Sequence, residues 1–264
     1  MGVLTGLDMK IGSVPTAHRF QLEVSDELKE YISSGSSGGV GRKCGIDDWR
    51  GVAMAYGYQP PVFPGSDFTF TGSLDGTYGF TGTAYCEAIE VIGDIENGEY
   101  GAYSIQFSRN GALTSGSAAA TDSTVPSPPC PENFSLLVGS NTVLDVTYQR
   151  LKIMCPGRAY VSSSTSGGRL RKRGAIDAEF EYHFYYDNPS QLPAFEHDYL
   201  IQPYFTQTLF WELAWMKLLT HSEYVNTEAR RPVNSKITMA FNGSNGTSLG
   251  YIKDTATTTK WPFS

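Results

Sequence analysis

Residues 22–48 of this chain recur at 151–177 without a gap, and that repeat restricts the possible folds more than any other feature. The first copy runs Leu22, Val24, Tyr31, Ile32 and then SSGSSGGVGRKCGIDD. The second runs Leu151, Ile153, Tyr160, Val161 and then SSSTSGGRLRKRGAID. At this constant offset (151 − 22 = 129), Ser33, Ser34, Ser37, Gly38, Gly39, Arg42, Lys43, Gly45 and Asp48 each meet an identical residue. Composition alone can match one Gly/Ser loop to another, but it does not supply apolar alternation before the loop and an Arg-Lys pair after it. Solenoid units span about 20–50 residues, so a period this long reads as a duplicated domain. The 264 residues hold two domains of the common size, about 100–150 residues each.

The residue usage favours strands and turns: 13% aromatic and 18% charged side chains, with 28 Gly and 14 Pro. Phe20, Leu22 and Val24 alternate with Gln21 and Glu23, the period of a half-buried strand. Segments 52–58 and 180–186 read as aromatic strands. Phe68-Thr-Phe-Thr pairs with its successor through a tight turn at Asp75-Gly76, and 78–92 matches 208–220. The closing strands, 103–107 and 236–241, are each expected to run into an Asn-Gly turn, at Asn110-Gly111 and Asn245-Gly246 (245 − 110 = 135). A two-turn helix over 26–32 with Ser25 as N-cap, and another near 191–199, are the helix candidates. The expected fold is mainly β, two tandem β-sandwich domains each with at most a short helix. The first spans 1–114, SGSAAATDSTVPSPPCP (115–131) is a linker, and the second spans 132–264 with TATTTKWPFS as an extended tail that docks Trp261 and Phe263 on a neighbour.

Chemistry-bearing patterns are sparse. The net charge of −7 sits entirely in residues 1–117, with 14 acidic and 7 basic side chains, against 13 of each in 118–264. Such a chain is not built to grip nucleic acid by its phosphates, though it suits a passage along which DNA slides. No apolar run of about 18 residues is present, so no membrane helix is expected. The start, MGVLTGLDMKIGS, has neither the basic head and apolar core of an export signal nor the hydroxyl residue of a myristoylation signal. Cys44, Cys86, Cys130 and Cys155 form no metal-ligand pairs and read as inert thiols. His18, His183, His197 and His221 are scattered. Gly35-Ser-Ser-Gly-Gly39 satisfies G-x-S-x-G with Ser37 central, but within a low-complexity loop that lacks the strand–turn–helix setting of a hydrolase. The acidic stretch Glu87, Glu90, Asp94, Glu96 and Glu99 reads as a solvated strand and turn. No catalytic residue, cofactor or metal site is expected. The basic cluster Arg169–Arg173 occupies the place of Arg42-Lys43, so a polar loop ending in cations is the shared element. Such a loop is suited to meeting carboxylates across an interface and setting register.

The first copy orders its parts as a strand, the Gly/Ser loop, Asp48-Trp49-Arg50-Gly51, Gly82-Thr-Ala-Tyr85, Ile89-Glu-Val91, Tyr103-Ser-Ile-Gln-Phe107 and Asn110-Gly-Ala-Leu-Thr114. That order resembles the tail tube proteins of long-tailed bacteriophages over most of 14–114 and, more weakly, over 143–253, where the ending departs to Asn245-Gly-Thr-Ser-Leu249. The resemblance implies sandwiches whose sheets join into closed rings that stack as a hollow tube in the virion, with assembly following synthesis in the host cytoplasm. With two copies per chain, three subunits would make a ring of pseudo-sixfold symmetry. DNA would pass the lumen without specific binding, and other phage tail proteins would be partners. It also implies that the loops contact adjacent subunits or rings, at Ser33, Ser37, Gly38, Gly39, Arg42 and Lys43 in copy one, and at Ser162, Ser166, Gly167, Gly168, Arg171, Lys172 and Arg173 in copy two. Two alternatives remain. One is another tail-ring component, such as a terminator, tail completion or distal tail protein. The other is a carbohydrate-binding sandwich with Trp211 and Trp215, four apart on one strand face, as sugar platforms.

Overall fold

A computed structural model describes residues 2–6, 8–12, 14–17, 19–31, 40–74, 77–117, 134–143, 145–163, 168–186, 193–224, 233–244, 249–253 and 258–260. The fold is mainly β. Copy one contains β1 (Gly2–Gly6), β2 (Asp8–Ile11), β3 (Val14–Ala17), β4 (Arg19–Tyr31), β5 (Gly41–Tyr56), β6 (Asp67–Ser73), β7 (Tyr78–Asp94) and β8 (Glu99–Ser117). Copy two follows with β9 (Ser135–Val138), β10 (Asn141–Val143), β11 (Val146–Met154), β12 (Arg158–Tyr160), β13 (Leu170–Lys172), β14 (Asp177–Tyr186), β15 (Asp198–Tyr204), β16 (Phe210–Tyr224), β17 (Val233–Phe241), β18 (Gly250–Lys253) and β19 (Thr258–Lys260).

The duplication holds strand by strand. In copy one the antiparallel order is β4-β5-β8-β7-β6-β2-β3. In copy two it is β11-β14-β17-β16-β15-β9-β10. The likeness starts earlier than the sequence repeat indicates, because the β2–β3 and β9–β10 turns both pivot on a left-handed glycine, Gly12 (φ 60°) and Gly139 (φ 63°). In each copy the last three strands of this order fold over the first ones, and the core lies between. Trp49 on β5 meets Phe70 on β6 edge-on at 5.4 Å, and Phe107 on β8 closes the group at 5.3 Å from Phe70. In copy two, Phe180, Tyr182 and Phe184 on β14 share that layer with Ile201, Leu213 and Met239, all with no exposure. Buried residues of both copies form one continuous hydrophobic cluster.

Several expectations give way to pairing. Residues 26–31 belong to β4, whose ladder with β5 continues to Tyr31↔Gly41, and the Ser25 hydroxyl donates to the Asp48 carbonyl instead of capping a helix. Tertiary pairing outweighs a modest helix preference here. Around 193–197 the chain is irregular and then enters β15 at Asp198, so no helix forms over that part of 191–199. Asn110-Gly111 is not a turn: β8 runs through it to Ser117 with a register shift between the Arg109 and Leu113 pairings. Gly51 pairs with Phe107 and its repeat counterpart Phe180 pairs with Met239. The late offset is therefore 132 (239 − 107 = 132), and the partner of Asn110 is Asn242, not Asn245. Residues 115–117 of the expected 115–131 linker belong to β8, and the remainder, 118–131, lies outside the described residues, as do Asp75-Gly76, Asn245-Gly246, Trp261 and Phe263.

Candidate assembly interface

β7 changes partner along its length. Its first half pairs with β6 (Asp67↔Tyr85 to Ser73↔Gly79), while its second half turns to the next copy and pairs with β11 (Ala88↔Met154 to Asp94↔Tyr148). Four apolar side chains of this ladder, Ile89, Val91, Leu151 and Ile153, are fully buried. At roughly 1.5–3 kcal/mol per buried aliphatic side chain, they form the apolar heart of the joint between copies. Gly93 is required within it, because a Cβ there would fall 2.0 Å from the Phe134 ring. On the opposite face a row of alternating charge crosses the joint: Glu90 with Arg150, Arg150 with Glu181 at 4.0 Å, and Glu181 with Lys236 at 2.8 Å. Burial alone would raise the Glu181 carboxyl, but hydrogen bonds from Lys236 and His183 hold it below its ordinary range.

The polar loop of copy two forms the second part of the joint. After β11 the chain leaves the ladder at Cys155-Pro156-Gly157, where proline supplies no donor, and forms the separate β12–β13 hairpin. The same place in copy one carries a bulge between Asp26 and Leu28, after which β4 and β5 continue together. The loop of copy two thus seats on copy one. Arg171 Nη2 donates to both Asp48 carboxylate oxygens at 3.1 and 2.9 Å, and Arg169 Nη1 reaches Asp48 at 3.3 Å. Backbone donors fix the register, from Arg169 N to the Asp47 carbonyl (3.0 Å) and from Arg171 N to Asn110 Oδ1 (2.7 Å). Gly168 bridges to Asp47, and a Cβ on it would meet the Arg109 guanidinium at 1.8 Å. Tyr85 donates to the Cys155 carbonyl at 2.9 Å, and its phenol pKa is pushed up by burial and then by Cys155. A third part is aromatic. Tyr58 of copy one stacks on Phe205 at 4.9 Å, stands 6.2 Å from Phe134, and accepts the Trp211 indole N–H on its carbonyl at 3.2 Å.

Of the thirteen loop residues expected to make contacts, Gly168 and Arg171 lie in this seat. Lys172 covers the Tyr160 ring at 5.1 Å, and Ser162 and Arg173 are exposed. Ser33, Ser37, Gly38, Gly39, Ser166 and Gly167 lie outside the described residues, as do the side chains of Arg42 and Lys43. The acidic stretch is not merely solvated. Glu87 accepts from Ser108 (2.7 Å) beside Arg171, Glu90 holds Arg150, Asp94 closes a turn with Asn97, and Glu96 accepts from Tyr185 of copy two. Nor do the two tryptophans share a face. Trp211 is fully buried, and a bulge at Trp215 (φ 58°) turns that ring outward to 42% exposure. The fully buried Trp211 offers no sugar platform. Burial raises the Cys86 thiol well above its ordinary range, which makes it a poor nucleophile. Sequence reasoning missed Tyr58, Tyr85 and Asp48. Only Asp48 carried a signal, its identity with Asp177 just past the loop.

Copy two repeats the receiving half of this joint. Asp177, the counterpart of Asp48, accepts the Ala178 N–H at 2.8 Å as Asp48 accepts that of Trp49 at 3.0 Å. Asn242 donates to Asp198 at 3.0 Å as Asn110 donates to Asp67 at 2.7 Å. Asp177 is exposed and makes no ion pair among the described residues. Beyond Lys217, no described strand lies along the β16 edge that matches the β7 edge paired with β11, and Leu219 there is 57% exposed. A scan against protein-family models finds no match for this chain, and a search of curated proteins finds no significant relative.

Proposed function

We propose that this chain is a structural subunit of a phage tail tube, associating head to tail into closed rings that stack around a DNA-conducting lumen. One observation carries the reading: the receiving half of the joint between the copies is repeated on copy two, and no described residue fills it. A heterologous contact of this kind makes either a ring or an open filament. Each chain supplies two near-equivalent positions, and for the sixfold ring that the tail tube resemblance implies, three chains would close it with pseudo-sixfold symmetry. The equivalent of Arg171 in a neighbour is Arg42, which meets Asp177.

The outer sheet face supports a passage for a polyanion. Several of its cations are held by carboxylates: Arg50 by Glu23 at 2.6 Å, Arg150 by Glu90 and Lys236 by Glu181, while Lys152 stands in register with Glu90 and Glu179. Cations neutralised in this way give DNA few sites for counterion-releasing contacts. Negative-stain imaging of the purified chain at high concentration tests the reading. Threefold rings or tubes with a central channel are expected, and a persistent monomer that binds glycans overturns it. Single rings that never stack would shift the assignment to a terminator, tail completion or distal tail role.

A further inference from the structure

β1 has no place in the sevenfold strand order that the two copies share, yet it lies along β4 in register: Gly2↔Val24, Leu4↔Leu22 and Gly6↔Phe20. The counterpart of β4 is β11, and the corresponding edge of β11 is held by β7, with Ile89↔Ile153, Val91↔Leu151 and Gly93↔Gln149. The two occupants match position for position. Gly2 stands where Ile89 stands, Leu4 where Val91 stands, and Gly6 where Gly93 stands, both antiparallel to the strand they cover. The match extends to the close approach, since a Cβ on Gly6 would fall 2.3 Å from the Phe20 ring, much as one on Gly93 would meet Phe134. β1 therefore imitates the second half of β7, on the edge of β4 that corresponds to the β11 edge held by β7.

We propose that the outer edge of β4 is the docking edge for β16 of a second copy of this chain, and that β1 is a place-holder displaced when that copy arrives. This rests on the ring reading above. By the offset of 132 (222 − 90 = 132), Glu23 of one chain then lies opposite Ser222 of the next, as Lys152 lies opposite Glu90 within the chain. Until displacement, β1 keeps the β4 edge from unregulated pairing, the usual hazard of an open strand edge. Its two glycines and five residues make it a weaker occupant than the Ile- and Val-bearing strand it imitates.

Two full-length double variants test this. Thr5→Cys with Gln21→Cys joins exposed residues that face each other across β1 and β4. Oxidised, this variant should need at least a tenfold higher concentration to form rings than when reduced. Glu23→Cys with Ser222→Cys should form disulfides between chains as rings form. Rings that assemble equally well with β1 locked, and without an inter-chain disulfide in the second variant, overturn the displacement while leaving the ring reading intact. Absence of rings from the wild-type chain and both reduced variants overturns the ring reading and this inference together.

Discussion

At the residue scale, Asp48 is the pivot of the joint. It faces Arg169 and Arg171, and the Arg171 side chain is only 11% exposed. Removing the carboxylate leaves a desolvated guanidinium with Glu87 alone, at 3.8 Å. Breaking a fully buried pair costs about 3–5 kcal/mol, and the residual exposure here lowers the expectation for Asp48→Ala to about 2–4 kcal/mol. Urea unfolding should read this loss, and adding Arg171→Met should recover much of it, since that removes the orphaned charge. Glu181 gives a pH signature. Its folded carboxyl titrates below the ordinary glutamate range, so its contribution is complete above about pH 4.3 and is lost as the pH falls through the lower folded value. Stability measured from about pH 6 down to about pH 3 should fall less steeply in Glu181→Gln than in the wild-type chain. Arg169 and Arg171 were legible as part of the cationic end of the loop, where the repeat also kept Arg171. Their acceptors were not, because a carboxylate at 48 and a guanidinium at 171 are brought together only by the β7–β11 pairing.

At the element scale, what decides the architecture is the switch of β7 from β6 to β11. Alternation made most strands legible: β6 buries Phe68 and Phe70 and turns Thr69 outward. It could not reveal where a strand changes partner or bulges, as β7 does around Gly82–Ala84 and Cys86–Ala88 and β16 does at Trp215. A bulge needs one extra residue, and nothing in the side-chain pattern announces it. Gly93→Val tests the switch. The added side chain must displace Phe134, which stands 5.9 Å from Phe205 and next to Tyr58. Overpacking costs about 1–3 kcal/mol, and the Trp211 fluorescence beside Tyr58 should shift, while a Gly116→Ala control, where a Cβ meets nothing within 4 Å, leaves it unmoved. Tyr58→Ala should cost about 3–5 kcal/mol, as for other buried aromatic truncations, because it empties the plug between the copies.

At the scale of the whole molecule, copy two repeats the receiving half of the joint, and no described residue fills it. Asp177→Arg should raise the concentration needed for ring formation by roughly tenfold for each 1.4 kcal/mol of lost contact, while the thermal midpoint of the isolated subunit shifts by only a few degrees. Pairing it with Arg42→Asp should restore assembly, as read by sedimentation velocity. A reversal that leaves assembly untouched would mean that Arg42 does not meet Asp177.

The charged row Glu90–Arg150–Glu181–Lys236 has a mechanical corollary. Its counterparts at the proposed chain-to-chain contact are Ser222, Gln21, Val52 and Ser104, all uncharged. A ring built as proposed would alternate three stiff welds, each inside one polypeptide and independent of concentration, with three softer seams. Under denaturant or outward pressure it would part first at the seams, releasing whole two-copy segments with their welds intact.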